Sequence, residues 1–323
     1  MMRARAILPA QLVLAMLIIV FGGSLSPRSV AQVCRACAAP ETLLAASTES
    51  WILRKQVNEV QVLFTASRHG KFITGLTEDE IKVRDNNAPA EIVDFRDQDN
   101  LPLRIALLVD TSDSIRERFR FEKQAAALFL RGTLRGDADQ AMVAGFDSSL
   151  HVSQRFSHDS ALISAGIDRL APGGRTALFD AVGDACRMLA RPEDGVVARV
   201  LIVVSDGDDN ASRTTRETAI ALAQQAEVTI YTISTNYALI DSNGNKNLTH
   251  LASPTGGEAL FPEKARKLAR AFTRISEELR HRYAVAYRPS EFAPNGRFHR
   301  IRIQARHSGK KLKVNARQGY YAR

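Results

Sequence analysis

Short apolar runs alternate with segments of helical periodicity throughout residues 101–281. The run "RIALLVD" is apolar at every position between its first arginine and its final acid, which is typical of a strand buried on both faces of a sheet. The stretch that follows, "SIRERFRFEKQAAALFLRGTL", brings Phe119, Ala126 and Phe129 to one side of a helix. This alternation predicts an α/β fold with a doubly wound, mostly parallel sheet and helices on both faces.

The segments on either side of this region have the period of strands. In residues 51–99 apolar and polar side chains alternate along short stretches, and "EIKVRDNNAPAEIVDF" contains an Asp-Asn-Asn turn. In residues 282–323, "RFHRIRIQARH" places Ile301 and Ile303 on one side of a strand and basic residues on the other, and "KKLKVNAR" predicts a further strand. Because neither segment can bury a core alone, we expect them to pair into one antiparallel β-sandwich, with the α/β domain inserted between them.

The N-terminus has the pattern of an export signal. The basic stretch "MMRARA" precedes a mostly apolar run, and "SVA" before Gln32 resembles a small-residue cleavage site. The alternative is an uncleaved membrane anchor, because the apolar run is close to the ~20 residues that span a bilayer. We expect residues 1–31 to be a signal peptide, and the protein to be exported to the periplasm, the cell envelope or the medium.

Residues 32–50 have the composition of a flexible spacer and contain Cys34 and Cys37 in "CRAC". No histidine follows, which argues against c-type haem attachment. The sequence leaves open whether these two cysteines form a disulfide or lie unpaired in a tail.

The net charge of +9 is concentrated at the C-terminal end of the chain. Residues 281–323 contain eleven Lys or Arg and one acid, Glu291. Strand periodicity places most of these basic residues on the outward face of the predicted sandwich. Such a strip can bind an anionic surface of the cell envelope, and the alternative is a solvated outer face. Export argues against nucleic acid as the partner.

Oxygen-bearing side chains follow the apolar strands at three points. Asp110, Ser112 and Ser114 form D-x-S-x-S after "RIALLV", Thr176 precedes a helix in "APGGRTALFD", and Asp206 ends the strand "VLIVVSD". Ligands of doubly wound sheets bind beyond the carboxyl ends of strands, so we expect these residues at one sheet edge. A set of carboxylates and hydroxyls without His or Cys suits Mg²⁺, with Mn²⁺ or Ca²⁺ as alternatives, better than zinc or copper.

Two other polar stretches have ligand-like spacing. "DGDDNASRTTRE" has oxygen ligands at several EF-hand positions but has Ala211 where the sixth position requires glycine. "DSNGNKNLTH" also lacks glycine at the sixth position, and it lacks the final glutamate. We expect both to be polar loops. The sequence has no P-loop, no G-x-S-x-G and no H-E-x-x-H.

With D-x-S-x-S at Asp110, a loop threonine at Thr176 and S-D-G at Asp206, the sequence resembles the von Willebrand factor type A family over residues 101–280. The resemblance implies a metal-ion-dependent adhesion site. In such a site the hydroxyls of Ser112, Ser114 and Thr176 bind Mg²⁺ directly, one or both aspartates act through water, and a Glu or Asp of a protein partner completes the coordination.

The flanks extend this resemblance. "ITGLTEDEI", "LPLRIALLVDTS" and the terminal "ARQGYYAR" are similar to a group of exported bacterial von Willebrand A-related proteins. Asp113 stands where glycine is common in the family. A third carboxylate there could attract the cation or obstruct the partner's acid, and the sequence does not decide between them.

The sequence therefore predicts five segments: a signal peptide (1–31), a spacer (32–50), the first half of the sandwich (51–99), a von Willebrand A domain (101–281) and the basic second half of the sandwich (282–323). The expected function is that of an exported protein-binding module rather than an enzyme. The alternatives are a structural envelope module whose loops the metal stabilises, and a hydrolase that uses Asp110 or Asp206 with metal-bound water.

Overall fold

A six-stranded sheet with helices on both faces organises the middle of the chain. The structure is a computed structural model and describes residues 59–112, 119–191, 196–237, 242–290, 292 and 294–322, which belong to one compact unit. The predicted signal peptide, the predicted spacer with its two cysteines, Asp113 and Ser114 lie outside the described residues.

The strands of the N-terminal flank are β1 (Val60–Arg68), β2 (Lys71–Phe72), β3 (Ile81–Asp85), β4 (Ala88–Pro89) and β5 (Glu91–Asp97). The central region contains β6 (Leu103–Asp110), α1 (Phe119–Thr133), β7 (Gln140–Phe146), β8 (Leu150–Ser157), α2 (Ser160–Asp168), α3 (Leu178–Leu189), β9 (Ala198–Ser205), α4 (Arg216–Gln225), β10 (Val228–Ser234), α5 (Asn243–Ala252), β11 (Ala259–Leu260) and α6 (Leu268–Arg280). The C-terminal flank contains β12 (Tyr283–Arg288), β13 (Phe298–His307), β14 (Lys310–Lys311), β15 (Lys313–Ala316) and β16 (Gly319–Tyr321).

The central sheet has the strand order β11-β10-β9-β6-β7-β8, and only β8 is antiparallel to its neighbour. From β6 the chain proceeds to β7 on one side, while β9 lies on the other, so the order reverses between β6 and β9. Val109 of β6 pairs with Val204 of β9, which brings the carboxyl ends of these two strands together. In doubly wound folds such a switch point is where ligands bind.

Alternate residues of β6 enter two different hydrophobic layers. Ile105, Leu107 and Val109 pack with residues of α1, α2 and α6, whereas Ala106 and Leu108 pack with residues of α3, α4 and α5. All five are fully buried. The continuous apolar run of this strand is therefore explained by burial on both faces, and burying a large aliphatic side chain stabilises the fold by roughly 1.5–3 kcal/mol.

Two antiparallel sheets combine strands of both flanks. One has the order β15-β1-β12-β5 with β2 beside β1, and the other has the order β14-β13-β3-β4 with β16 beside β13. Val62 pairs with Val285 in the first sheet, and Val83 pairs with Ile303 in the second. The inward residues of the two sheets form one shared core. The predicted fold class, an α/β domain with a flanking β-sandwich built from both flanks, is confirmed.

The buried carboxylate of Asp85 ties the flanks together by hydrogen bonds. Tyr287 and Tyr320 donate to its Oδ2 at 2.8 and 3.0 Å, and Nδ1 of His299 lies 3.2 Å from its Oδ1. Burial, together with the bond to this carboxylate, raises the pKa of Tyr287. One residue of the N-terminal flank thus contacts three side chains of the C-terminal flank.

Helix α5 contradicts the expected polar loop at "DSNGNKNLTH". The hydroxyl of Ser242 accepts a hydrogen bond from the backbone N–H of Asn245 at 3.0 Å and caps the helix. Leu248, Leu251 and Ala252 are buried against the central sheet. The apolar residues at the end of the segment therefore bury one face of the helix, and its polar first half packs against the loop that follows β9.

The C-terminal flank also differs from its prediction, because "KKLKVNAR" forms two short strands. Lys310–Lys311 pair with β13 in one sheet, whereas Lys313–Ala316 pair with β1 in the other. Leu312, which is buried, lies where the chain crosses between the sheets. A single alternating pattern cannot reveal such a crossing, since both halves keep the same face inward.

None of the helices that the structure describes is long and apolar enough to cross a membrane.

Candidate metal centre

Three loops meet at the carboxyl ends of β6 and β9, where the sequence predicts them. We call them the first loop (residues 110–112, as far as it is described), the second loop (171–177) and the third loop (205–215). The N–H of Gly173 donates to the carbonyl of Thr111 at 2.5 Å, and the N–H of Asn210 donates to the carbonyl of Thr176 at 2.9 Å. The hydroxyl of Ser205 donates to Oδ2 of Asp110 at 2.6 Å. Each loop is therefore bonded to both of the others.

Asp110 is the last residue of β6 and is fully buried. Its Oδ1 accepts a hydrogen bond from the N–H of Ser112 at 2.9 Å, while Ser205 holds Oδ2. Burial raises the pKa of Asp110, these hydrogen bonds lower it, and the nearby charge of Asp206 raises it further, so that the net shift is upward. The carboxylate is thus fixed in place at a position where its charge is unfavourable.

Ser112 lies in the described part of the first loop and is also buried. The intervening Thr111 anchors the loop, because both its N–H and its hydroxyl donate to the carbonyl of Phe146, each at 2.9 Å. The loop therefore leaves the sheet in a fixed direction that places Ser112 beside Asp110. Ser114 lies outside the described residues.

Thr176 is buried at the end of the second loop, and its backbone is held by the third loop. Its N–H donates to Oδ1 of Asn210 at 3.0 Å, and its carbonyl accepts from the N–H groups of Asn210 and Ala211 at 2.9 and 3.0 Å. The guanidinium of Arg175 also donates to the carbonyl of Asn210. These bonds position Thr176 against the third loop.

Asp206 follows β9 and is half-buried. Besides its effect on Asp110, its charge acts on Asp208, whose pKa is raised first by burial and then by Asp206. The charge of Asp206 therefore disfavours ionisation of the carboxyl groups of Asp110 and Asp208 at this sheet edge. A bound cation would relieve that repulsion.

Ser212 and Asp180 fix the third loop to α3. Ala177, at the start of α3, forms no side-chain cap, and instead the hydroxyl of Ser212 accepts from the N–H groups of Phe179 and Asp180 at 3.0 and 3.2 Å. The carboxylate of Asp180 in turn accepts from the N–H groups of Arg213 and Thr214 at 2.9 and 2.8 Å. Asp180, in the first turn of α3, is therefore a hydrogen-bond acceptor for the third loop.

The start of α5 packs against the third loop without space for side chains. Gly207 has a φ of +85°, and a Cβ on it would lie 2.2 Å from the carbonyl oxygen of Gly244. Asn247 donates to the carbonyl of Gly207 at 3.0 Å. The supporting roles of Ser205, Asn210 and Asn247 are not evident from the sequence, because their partners are remote in sequence and only the fold brings them together.

The described side chains fit a hard divalent cation. Asp110 and Asp206 lie close enough to influence each other, and the hydroxyl-bearing Ser112 and Thr176 are buried on the loops bonded around them. Carboxylate and hydroxyl oxygens are the donors that Mg²⁺ accepts, with one or two carboxylates and the remaining positions filled by water. Among the described residues, no group of three or more His, Cys, Asp or Glu is placed to hold a metal ion.

Comparison with known proteins assigns the family. The family model for the von Willebrand factor type A domain matches residues 105–274, which is more than half of the chain. The protein therefore belongs to the von Willebrand factor type A family. Domains of this family commonly mediate protein–protein interaction through a metal-ion-dependent adhesion site that binds a divalent metal, and they are generally not enzymes.

Solved structures with a similar fold include three from different sources. A von Willebrand factor type A protein from Catenulispora acidiphila shares 13% identity over 72% of this chain and 74% of that one, with a TM-score of 0.49. The PilB minor pilin from Streptococcus sanguinis shares 15% identity over 56% and 61%, with a TM-score of 0.45. Proximal thread matrix protein 1 from the mussel byssus, with a zinc-occupied MIDAS motif, shares 19% over 60% and 50%, with a TM-score of 0.49. No curated protein sequence matches the chain.

Proposed function

We propose that the protein is an exported binding module that recognises an acidic group of a protein partner through Mg²⁺. The ion is held by Asp110, Ser112, Ser114, Thr176 and Asp206. In this proposal the chain consists of the five segments predicted from the sequence, with the von Willebrand A domain at residues 101–281 between the two halves of the sandwich.

The observation that carries the proposal is the hydrogen bonding among the three loops at the switch point of the sheet. The second loop is bonded to the carbonyl of Thr111 and to Asn210, and Ser205 of the third loop holds Asp110. Preorganised ligands lose little conformational freedom when they bind, which favours affinity. The arrangement is that of a binding site built before its ligand arrives.

Each residue has a distinct part in this proposal. Ser112 and Thr176 supply hydroxyl oxygens, and the aspartates supply the negative charge that attracts a divalent cation. Ser205 and Asn210 do not bind the ion but hold Asp110 and Thr176 in position. When bound, the ion supplies an electrophilic centre for the carboxylate of a partner.

A hydrolase is the weaker alternative. One arrangement of catalytic residue types lies at the turn between β7 and β8, where the side chains of Ser149, His151 and Asp147 are in contact. Ser149 and Asp147 both contact Nε2 of His151, at 3.1 and 3.2 Å. A Ser-His-Asp relay needs the serine and the carboxylate on different ring nitrogens, so this cluster does not have relay geometry.

Metal-dependent capture of a partner tests the proposal. We expect the immobilised protein to capture a partner from a cell-envelope extract in Mg²⁺, and to lose it in EDTA or in the Thr176→Ala variant. Ser148→Ala is the matched control, because Ser148 is an exposed hydroxyl beside the site that bonds to Asp147 rather than to the proposed ligands. It should capture normally.

Two results would overturn the proposal. Equal capture in Mg²⁺ and EDTA would exclude recognition through the metal. Normal capture by Thr176→Ala together with reduced stability would favour the alternative in which the metal only stabilises an envelope module.

Export rests on the N-terminal sequence pattern and has its own test. The intact mass of the protein from envelope and medium fractions should correspond to a chain that starts near Gln32. Full-length protein confined to the cytosol would contradict export.

A further inference from the structure

One face of the β-sandwich is strongly basic. Side chains directly opposite each other on paired strands share a face, and Arg302 pairs with Arg84, Gln304 with Lys82, and Arg306 with Lys311. The outward face of the sheet β14-β13-β3-β4 therefore carries six exposed cations, which we call the basic face: Lys82, Arg84, Arg300, Arg302, Arg306 and Lys311. None of the strand positions on this face, all of which the structure describes, holds an acid.

The cross-strand pairs of the basic face are unfavourable for the isolated protein. Arg302 lies directly opposite Arg84, and Arg306 directly opposite Lys311. Like charges in this arrangement destabilise a sheet. Within the part of the chain that the structure describes, none of the six cations forms an ion pair. The described residues therefore do not neutralise the charge on this face.

Other basic residues of the C-terminal flank do form ion pairs. Lys313 pairs with Glu258 at 3.0 Å, and Arg317 pairs with Glu227 at 2.8 Å. Arg288 lies 3.3 Å from Glu59. Ion pairing is thus common around the basic face and missing on it, which distinguishes this face from an ordinary solvated surface.

We propose that the basic face binds the surface of an anionic lipid bilayer. Its charges are spread in two dimensions, about 5 Å apart across strands and about 7 Å apart along them, as suits a plane of headgroups. Phe298, which is 42% exposed and packs edge-on against Tyr321, lies at one end of the same face. Aromatic rings beside basic residues are favoured at the membrane interface.

Nucleic acid fits this face less well. Single strands are bound by aromatic side chains on which successive bases stack. On the basic face Gln304 lies opposite Lys82, Pro89 of the edge strand β4 lies opposite Arg84, and the aromatic residues lie at one end. The observations therefore favour a lipid surface, and nucleic acid becomes one outcome of the test.

The basic face and the metal centre are far enough apart to be occupied together. The sandwich joins the amino end of β6, and the metal centre lies at its carboxyl end. The strand has eight residues, which span roughly 26 Å at ~3.3 Å per residue. Binding at the basic face leaves the metal centre accessible, so the two sites can be tested separately.

Co-sedimentation with vesicles tests the proposal on the full chain in EDTA, which removes any contribution from a metal ion. We expect binding to vesicles that contain phosphatidylglycerol, weakening with salt, and much weaker binding to pure phosphatidylcholine. Arg84→Gln combined with Arg302→Gln should weaken binding to the anionic vesicles about 30-fold, from roughly 1 kcal/mol for each basic residue near the surface. Thermal unfolding of this variant should be no earlier than that of the wild type, since a repulsive pair is removed.

The matched control is Arg131→Gln with Arg155→Gln, which removes the same charge from exposed positions on α1 and β8. This control should bind the anionic vesicles as tightly as the wild type does. The N-terminal residues 1–31 are present in all variants, so any contribution from them to vesicle binding is the same in each. Equal losses in both double variants, or equal binding to neutral and anionic vesicles, would overturn the proposal. So would binding to duplex or single-stranded DNA that depends on Arg84 and Arg302 without binding to anionic vesicles.

Discussion

At the scale of single residues, Asp110 combines a cost in stability with its proposed role in binding. Its carboxylate is fully buried near Asp206, and burial raises its pKa. Without a divalent cation, Asp110→Asn removes this buried charge and keeps the shape of the side chain. We expect the unfolding temperature in EDTA to be at least as high as that of the wild type, while the stabilisation by Mg²⁺ disappears. A clear decrease in EDTA would show that the charge itself supports the fold.

Asn210 gives a test of the supporting residues. Its Oδ1 accepts from the N–H of Thr176, and losing such a bond costs about 1 kcal/mol. Because residues that orient metal ligands typically affect affinity by ~10-fold to ~100-fold, we expect Asn210→Ala to weaken Mg²⁺ binding by at least about tenfold. Isothermal titration measures this. The control is Asn295→Ala, which removes a similar bond to the N–H of Arg297 in the sandwich and should leave the affinity unchanged.

At the scale of elements, Glu278 joins helix α6 to the sandwich. Its Oε1 accepts from the hydroxyl of Thr65 on β1 at 3.0 Å and from the amide of Asn315 on β15 at 2.9 Å. Burial raises the pKa of Glu278 above its ordinary value of 4.5, the bond from Asn315 lowers it, and the charge of Glu258 raises it again. The folded state therefore takes up this proton at a higher pH than the unfolded state does.

The sign of the pH dependence follows from this shift. A raised folded-state pKa contributes stability that is complete below pH 4.5 and is lost as the pH rises through the folded-state pKa. We expect the free energy of unfolding of the wild type, relative to Glu278→Gln, to increase as the pH falls from 7 towards 4. Denaturant titrations at several pH values measure the difference. A difference that is constant with pH, or that changes in the opposite direction, would contradict the assignment.

The helices and strands differ in how far the sequence predicts them. β6 and β9 are evident because burial on both faces makes the continuous middle of each strand, from Ile105 to Val109 and from Val200 to Val204, apolar. α5 is not evident, since its capping serine and polar first turn also suit a loop, and its large apolar residues, Leu248 and Leu251, lie in its second half. The edge strand β8 is not evident either, because its side chains are half-exposed and its sequence contains no continuous apolar run.

The residues of the candidate site also differ in how far the sequence predicts them. Asp110 and Ser112 follow a recognisable strand, and Thr176 precedes a recognisable helix in the family motif, so their meeting at one edge can be predicted. Asn210 cannot be identified, because its role depends on a partner 34 positions away. Whether the five predicted residues bind a metal stays a prediction, and Ser114 lies outside the described residues.

At the scale of the whole molecule, the sandwich depends on both ends of the chain. β1 pairs with β12 and β15, and β3 pairs with β13. We expect deletion of residues 299–323 to remove hydrogen-exchange protection from β1 and β3 because they lose strand partners and the shared core. β6 and β9, which pair with each other inside the central sheet, serve as the internal control and should stay protected. Unchanged exchange in β1 and β3 would contradict this dependence.

Scanning calorimetry of the full chain with and without Mg²⁺ measures whether the three loops bind a divalent cation. A ligand that binds only the folded state should stabilise the wild type by about 2.7 kcal/mol at a hundredfold excess over Kd. Asp110→Ala should lose this increment and Thr176→Ala should show a smaller one, while both still unfold cooperatively because apolar burial holds the strands. Mn²⁺ should act in the same way as Mg²⁺. An equal response to the cation in the wild type and in Asp110→Ala would contradict the metal centre, and with it the proposed mode of partner recognition.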